Sequence, residues 1–160
     1  MSAAQYVGRV FDLMALRGAD YPGEVELSQT LFDSASSGEV CTGIQKLAQR
    51  WVMEFLTAAG SMTFMQERGC SFIPAVNRGS LRLEADIEAE FGFAAADVQK
   101  NLNTDDTDDT PDDERLAEAH LMQIVLQDAG FSLRVWIESV AGGQTEVILP
   151  VNFVPSNLAL

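Results

Sequence analysis

The sequence predicts an α+β domain, and two patterns carry that prediction. Val40, Ile44, Leu47, Ala48, Trp51, Val52 and Phe55 recur at three- and four-residue steps, the apolar stripe of an amphipathic helix. Near the end, Phe131, Leu133, Val135 and Ile137 alternate with polar residues, as do Val147, Leu149, Val151 and Phe153. Ala141-Gly142-Gly143 joins the two runs into a β-hairpin. No regular strand-helix-strand alternation appears, which argues against a parallel sheet. The expected architecture is a small, mostly antiparallel sheet with a C-terminal β-hairpin packed against a long N-terminal helix and two or three further helices.

Taken in order, residues 1–36 read as an N-terminal arm with a short strand, and 37–160 as a single domain. Tyr6, Val7, Val10, Phe11, Leu13 and Met14 fit a short helix or a docking segment, closed by Arg17-Gly18 and Pro22-Gly23. Val25, Leu27 and Leu31 alternate in a strand-like run from Glu24 to Phe32. Ser37 is placed to cap the long helix, with Glu39 in its first turn, and Gly60 to stop it after Ala58-Ala59. Lys46, Gln49, Arg50 and Glu54 fall on its wet side.

A short apolar run, Met62-Thr63-Phe64-Met65, follows the glycine turn, and the chain turns again through Pro74 and Asn77-Arg78-Gly79. Ser80 is a candidate cap for a second helix on Leu83, Ile87 and Phe91, continued by Ala95, Val98 and Leu102 past a kink or break at Gly92. Asn103 to Glu114 holds seven acidic residues in twelve, which predicts a mobile acidic loop over 103–114. Thr110, Pro111 and Asp113 then resemble a helix start. Leu116, Leu121, Met122, Ile124, Val125 and Ala129 would form that helix's face, ending at Gly130. Pro150 cannot donate to a ladder, so the last strand, or one side of it, should lie at a sheet edge.

Composition narrows the function. Twenty-four Asp and Glu against ten Lys and Arg give a net charge of −14, which disfavours nucleic acid and anionic lipid as partners. The N-terminus lacks a signal-peptide pattern, and no run reaches the ~18 apolar residues of a membrane span. Cys41 and Cys70 have no metal-ligand spacing and read as two buried thiols.

The chemical motifs fail one by one. An EF-hand register starting at Asp106 puts Pro111 where glycine is needed and Ala117 where a bidentate Glu is needed. Zinc would require Cys41, Cys70 and His120, whose spacing fits no short motif; His120 reads as a hydrogen-bonded structural residue. There is no G-x-S-x-G, no second histidine and no phosphate loop. A carboxylate hydrolase needs two acids and a cleft, and Glu54 with Glu67 would be the pair. No catalytic residue, cofactor or metal is expected.

Gly43-Ile44-Gln45-Lys46-Leu47-Ala48-Gln49-Arg50, then Phe55-Leu56-Thr57, a Gly60-Ser61 turn, Glu67-Arg68-Gly69-Cys70, Pro111-Asp112-Asp113-Glu114-Arg115 and a terminal hairpin follow one another. This order resembles the small baseplate wedge proteins of contractile phage tails, the sheath-initiator family related to a type VI secretion baseplate subunit. The resemblance runs from Glu39 to Phe153. It departs from the family where Ser61-Met62 replace a Glu-Arg pair after the turn glycine.

The resemblance implies a non-enzymatic structural protein of the virion tail baseplate, assembled in the host cytoplasm. Its partners would be other wedge subunits and the tail sheath protein, with tail tube or hub proteins as further neighbours. Strand sharing would start the sheath, with the hairpin 131–154 as the donor. The expected outward contacts are Arg134, Trp136, Glu138, Ile148, Pro150, Asn152 and Val154. Glu67 and Arg68 are expected as a turn-stabilising or intersubunit charge pair. Two alternatives stand beside it: a lysozyme-like hydrolase of the tail using Glu54 and Glu67, and an acidic adaptor binding a basic partner through 103–114.

Overall fold

The fold is α+β, and its helical half is organised by the stripe on α1 (Gly43–Leu56), which buries Leu47, Ala48, Trp51, Val52 and Phe55. The computed structural model describes residues 9–14, 16–18, 24–27 and 40–152, the backbone alone for 16–18 and 24–27. Trp51 stacks on Phe55 with ring centroids 4.8 Å apart, and Phe55 meets Phe72 at 4.7 Å and Phe91 at 5.5 Å. Phe72 opens α2 (Phe72–Asn77), and Phe91 lies in α3 (Glu84–Asp105). Phe72 in turn sets its edge against Phe131 of the sheet. One aromatic chain therefore joins three helices to the strands, each ring burying a large apolar area.

The helix boundaries differ from the expected ones for local reasons. Val40–Cys41 is a strand, β4, paired antiparallel with β1 (Asp12–Leu13), so α1 starts at Gly43. Ser37 and Glu39 lie outside the described residues. Helix α1 ends at Leu56, before Gly60, because Thr57 turns extended and the main chain pairs with Cys70: Ala59 N–H donates to the Cys70 carbonyl and Cys70 N–H to that of Thr57. Gly60 is left-handed within the following turn. Pro74 sits in the first turn of α2, where its missing N–H costs nothing. Ser80 closes α2 through its hydroxyl on the Ala75 carbonyl, and Asp86 caps α3 by accepting from the N–H of Leu83. Helix α3 runs unbroken through Gly92. Ile87, Phe91, Ala94, Val98 and Leu102 keep one phase across it, and packing outweighs the ~1 kcal/mol penalty of an interior glycine.

The largest correction concerns 116–129, which is a strand and not a helix. The strand β5 (Leu116–Gln127) pairs antiparallel with β6 (Gly130–Ser139), which pairs with β7 (Gln144–Asn152). Register shifts between Leu116 and Glu118 and between Leu121 and Gln123 break the alternation of β5. Its inward residues become Leu116, Ala119, Leu121 and Ile124, a spacing that mimics a helical stripe. The helix-start signature at Thr110-Pro111 opens only the 3₁₀ turn Asp112–Glu114.

The expected hairpin is β6–β7. Phe131, Leu133, Val135, Ile137, Val147, Leu149 and Val151 are all buried on the helical side. Gly142, at φ +79°, completes its turn. The expected strand from Glu24 is β3 (Glu24–Leu27), which runs parallel to β7 and antiparallel to β2 (Leu16–Gly18). The five-stranded order is β2-β3-β7-β6-β5, so β2 and β3 of the N-terminal arm belong to the same sheet as the hairpin. Among the described residues the β3 pairing reaches as far as Ile148, and Pro150 is exposed beyond it.

The acidic stretch 103–114 is tied down rather than free. It begins as the last turn of α3, and five of its carboxylates meet cations: Asp105 with Arg68, Asp106 with Arg50, Asp112 with Arg115, Asp113 with Arg9, and Glu114 with Lys46. Glu114, 2% exposed, is the centre. One of its oxygens accepts the Gly43 N–H at 3.1 Å, at the positive end of α1. The other accepts Lys46 Nζ at 2.7 Å, and Lys46 also donates to the Val10 carbonyl. Arg50 adds a hydrogen bond to the Glu114 carbonyl.

Removing this carboxylate leaves the Gly43 N–H without its partner and the largely buried Lys46 ammonium with the Val10 carbonyl but no counter-charge at that contact. Glu114→Ala is therefore expected to cost about 3 kcal/mol, in the range for breaking a buried pair. Urea unfolding followed by far-UV circular dichroism measures this, with Asp112→Ala, an exposed pair, near neutral.

Candidate functional site

The surface most suited to recognition is the outer edge of β5. Its inner edge is filled by β6, and among the described residues no strand pairs with its outer edge. Met122, Val125 and Leu126 are 58, 43 and 57% exposed along it. Edge strands usually carry lysine, proline or bulges that discourage pairing. Here bulges interrupt the first half, whereas Gln123-Ile124-Val125-Leu126-Gln127 pairs regularly with β6 and holds no charge. A row of free main-chain groups beside alternating apolar side chains is the chemistry of strand addition.

The residues expected to make contacts occupy a different place. Arg134, Trp136 and Glu138 lie on β6, and Ile148, Pro150 and Asn152 on β7. Both edges of β6 are filled, and β7 is paired on one side throughout and on the other as far as Ile148. Hairpin strand donation therefore gives way to a face: these residues sit on the side of the sheet opposite the buried series. Arg134 pairs with Glu146 at 2.6 Å, and Trp136 stacks on His120 with centroids 5.5 Å apart. Glu138 faces Gln144 across the hairpin, Ile148 faces Arg134, and Asn152 faces Gly130. Val154 lies outside the described residues.

Glu67 and Arg68 separate. Glu67 is exposed, while Arg68 reaches Asp105 at 2.6 Å and Glu54 at 3.4 Å. Glu54, expected on the wet side of α1, is only 6% exposed. It accepts the Gly69 N–H and the Asn101 amide, each at 2.7 Å. Its oxygens are committed to holding the 57–70 loop on α1 and α3, which lends no support to a Glu54–Glu67 catalytic pair. Gln49 is buried too, with its amide on Asp12 and the Leu13 carbonyl. The side of α1 expected to be wet is thus covered by β1 and the acidic segment.

Sequence reasoning missed the β5 edge because the bulges imitate helical spacing. The signal that favours a strand is the β-branched pair Ile124-Val125 followed by the two-residue turn Asp128-Ala129.

His120 is exposed on β5 with its Nε2 2.9 Å from a Glu118 carboxylate oxygen, and both cysteines are buried without a disulfide. Among the described residues no three His, Cys, Asp or Glu gather to hold a metal ion, and no helix is long and apolar enough to cross a membrane. Compared with family models, curated proteins and solved structures, the chain matches none.

The two thiols give a direct check on this packing. Burial, assisted by Asp12 at Cys41 and opposed by a backbone hydrogen bond at Cys70, pushes both up to about 11 from 9.0. The native protein is expected to resist a thiol-directed disulfide reagent at pH 8 and to react at both sites once unfolded. Because the folded values are raised, the thiols' contribution to stability is whole below pH 9 and fades as pH climbs through about 11. Chemical-denaturation midpoints across that interval, with a Cys41→Ala/Cys70→Ala chain as control, measure it.

Proposed function

We propose that this chain is a structural subunit of a contractile-tail baseplate wedge that joins neighbouring subunits and starts sheath assembly by adding strands to its sheet. The observation that carries the reading is the open edge of β5, with Met122, Val125 and Leu126 beside it. A long apolar edge without lysine or proline invites aggregation in a free monomer, and an assembly partner removes that hazard. The order of sequence clusters that resembles the sheath-initiator family supports the same reading. The strand that receives the partner is β5, and the hairpin 130–152 acts as the rigid support beneath it.

The charge distribution fits a protein partner. A net charge of −14 repels nucleic acid and anionic lipid, and extended main chain pairs independently of charge. Arg134, Trp136 and Ile148, half-buried on the sheet face opposite the helices, would border a strand or domain that continues the sheet.

Co-expression with the sheath protein of the same tail operon tests the proposal. Wild-type chain is expected to co-purify with it and to yield short sheath stubs in negative-stain images. A Val125→Lys/Leu126→Lys chain is expected to retain its circular dichroism and melting temperature while binding falls at least about tenfold, since edge lysines oppose pairing. Equal binding by both chains would remove strand addition at β5. Absence of any complex with the wild-type chain would remove the baseplate reading itself.

A further inference from the structure

The loop between α1 and α2 carries a second feature, independent of the sheet. Phe64 is 98% exposed, more than any other large apolar side chain among the described residues, and Met62 and Met65 beside it are about half exposed. A phenylalanine held in water forgoes ~1.5–3 kcal/mol of burial.

The loop that presents it is built to hold shape. Its stem is the main-chain pairing of Thr57 and Ala59 with Cys70. Gly69, at φ +84°, passes so close to Thr57 that a Cβ there would stand 2.4 Å from its carbonyl oxygen. Glu54 fixes the Gly69 N–H, and Arg68 ties the loop to Asp105 at the end of α3. Three successive turns fold the tip on itself, closed by Ser61 N–H on Ala58, Met65 N–H on Met62 and Arg68 N–H on Met65. An aromatic side chain on an ordered support loses little freedom on binding, which is what makes an interface anchor effective.

The surroundings state the chemistry of the occupant. Glu67 is exposed on the loop itself. The Arg68–Asp105 pair sets the loop beside the partly exposed carboxylate of Asp105, at the start of the acidic segment. Only Arg68 is basic between Ser61 and Cys70, and it is spent on Glu54 and Asp105.

We propose that the 60–68 loop is a docking knob. Phe64, flanked by Met62 and Met65, enters an apolar pocket on a protein partner whose rim is basic and meets Glu67 and Asp105. A bilayer would need cations beside the apolar tip, and this tip has acids. A second copy of the chain would bring a second −14 charge to the contact.

The choice of probe rests on the assembly reading; the contact does not. In one full-length chain p-benzoylphenylalanine replaces Phe64, and in another it replaces Met122 on β5. Each is co-expressed with the remaining proteins of its tail operon and irradiated. The expected result is a crosslink from position 64 to a tail protein at a site flanked by Lys or Arg. Crosslinks from 122 alone would overturn the knob and leave the β5 reading standing. A product with lipid or with a second copy from position 64 would overturn the stated occupant, and silence at both positions would overturn both readings. With the crosslinked protein purified, Phe64→Ser is expected to weaken binding at least about tenfold, and more salt to weaken the wild-type complex. Its melting temperature is expected to match wild type, because the side chain contacts water. Binding by Phe64→Ser within about twofold of wild type would overturn the proposal.

Discussion

Much of the structure depends on one buried carboxylate. Glu114 closes the amino end of α1, takes the Lys46 ammonium, and through Lys46 and Arg9 holds the chain before β1. It also ends the acidic segment and stands two residues before β5, so the helical layer is pinned close to where the long edge strand departs. A desolvated acid is costly unless it is paired and hydrogen-bonded, and here a helix N–H takes one oxygen and an ammonium the other. The chain's overall acidity conceals this arrangement: cations are scarce, and Arg9, Lys46, Arg50 and Arg68 each pair with a carboxylate of the acidic segment, along the length of α1.

That economy explains what could be read in advance and what could not. The hairpin β6–β7 and the buried faces of α1 and α3 were legible because burial imposes a period on the residues that face the core. Trp51, Phe55, Phe91 and Phe131 fall where those periods place them. Strand β5 was not legible, because two bulges convert its alternation into steps of three and two, and the Pro111 signal begins a 3₁₀ turn with equal ease. Glu54 and Gln49 were assigned to water by polarity. Their burial is decided by partners distant in sequence, Asn101 and Gly69 for one and Asp12 for the other, which periodicity cannot see.

The site divides the same way. Arg134, Trp136 and Ile148 do share one sheet face, as alternation implies, but strand order decides which edges stay open, and the parallel β3–β7 pairing sets that order. A hairpin recognised locally was given the role of an edge; the fold puts it in the middle and gives the edge to the strand before it. Face residues follow from spacing along one strand. Edges follow from the whole topology.

The parallel pairing of β3 with β7 also has a temporal side. Glu24 leaves the ribosome well before Glu146, its neighbour in the sheet. Until then β2 and β3 have only each other, and a lone two-stranded ribbon is marginal. The α1–α3 layer can gather on its aromatic contacts before that, but the sheet closes only once β7 has been made, through a contact of high sequence separation that slows folding. During that interval the amino-terminal strands are exposed to any other extended chain nearby, including a nascent copy of the same protein.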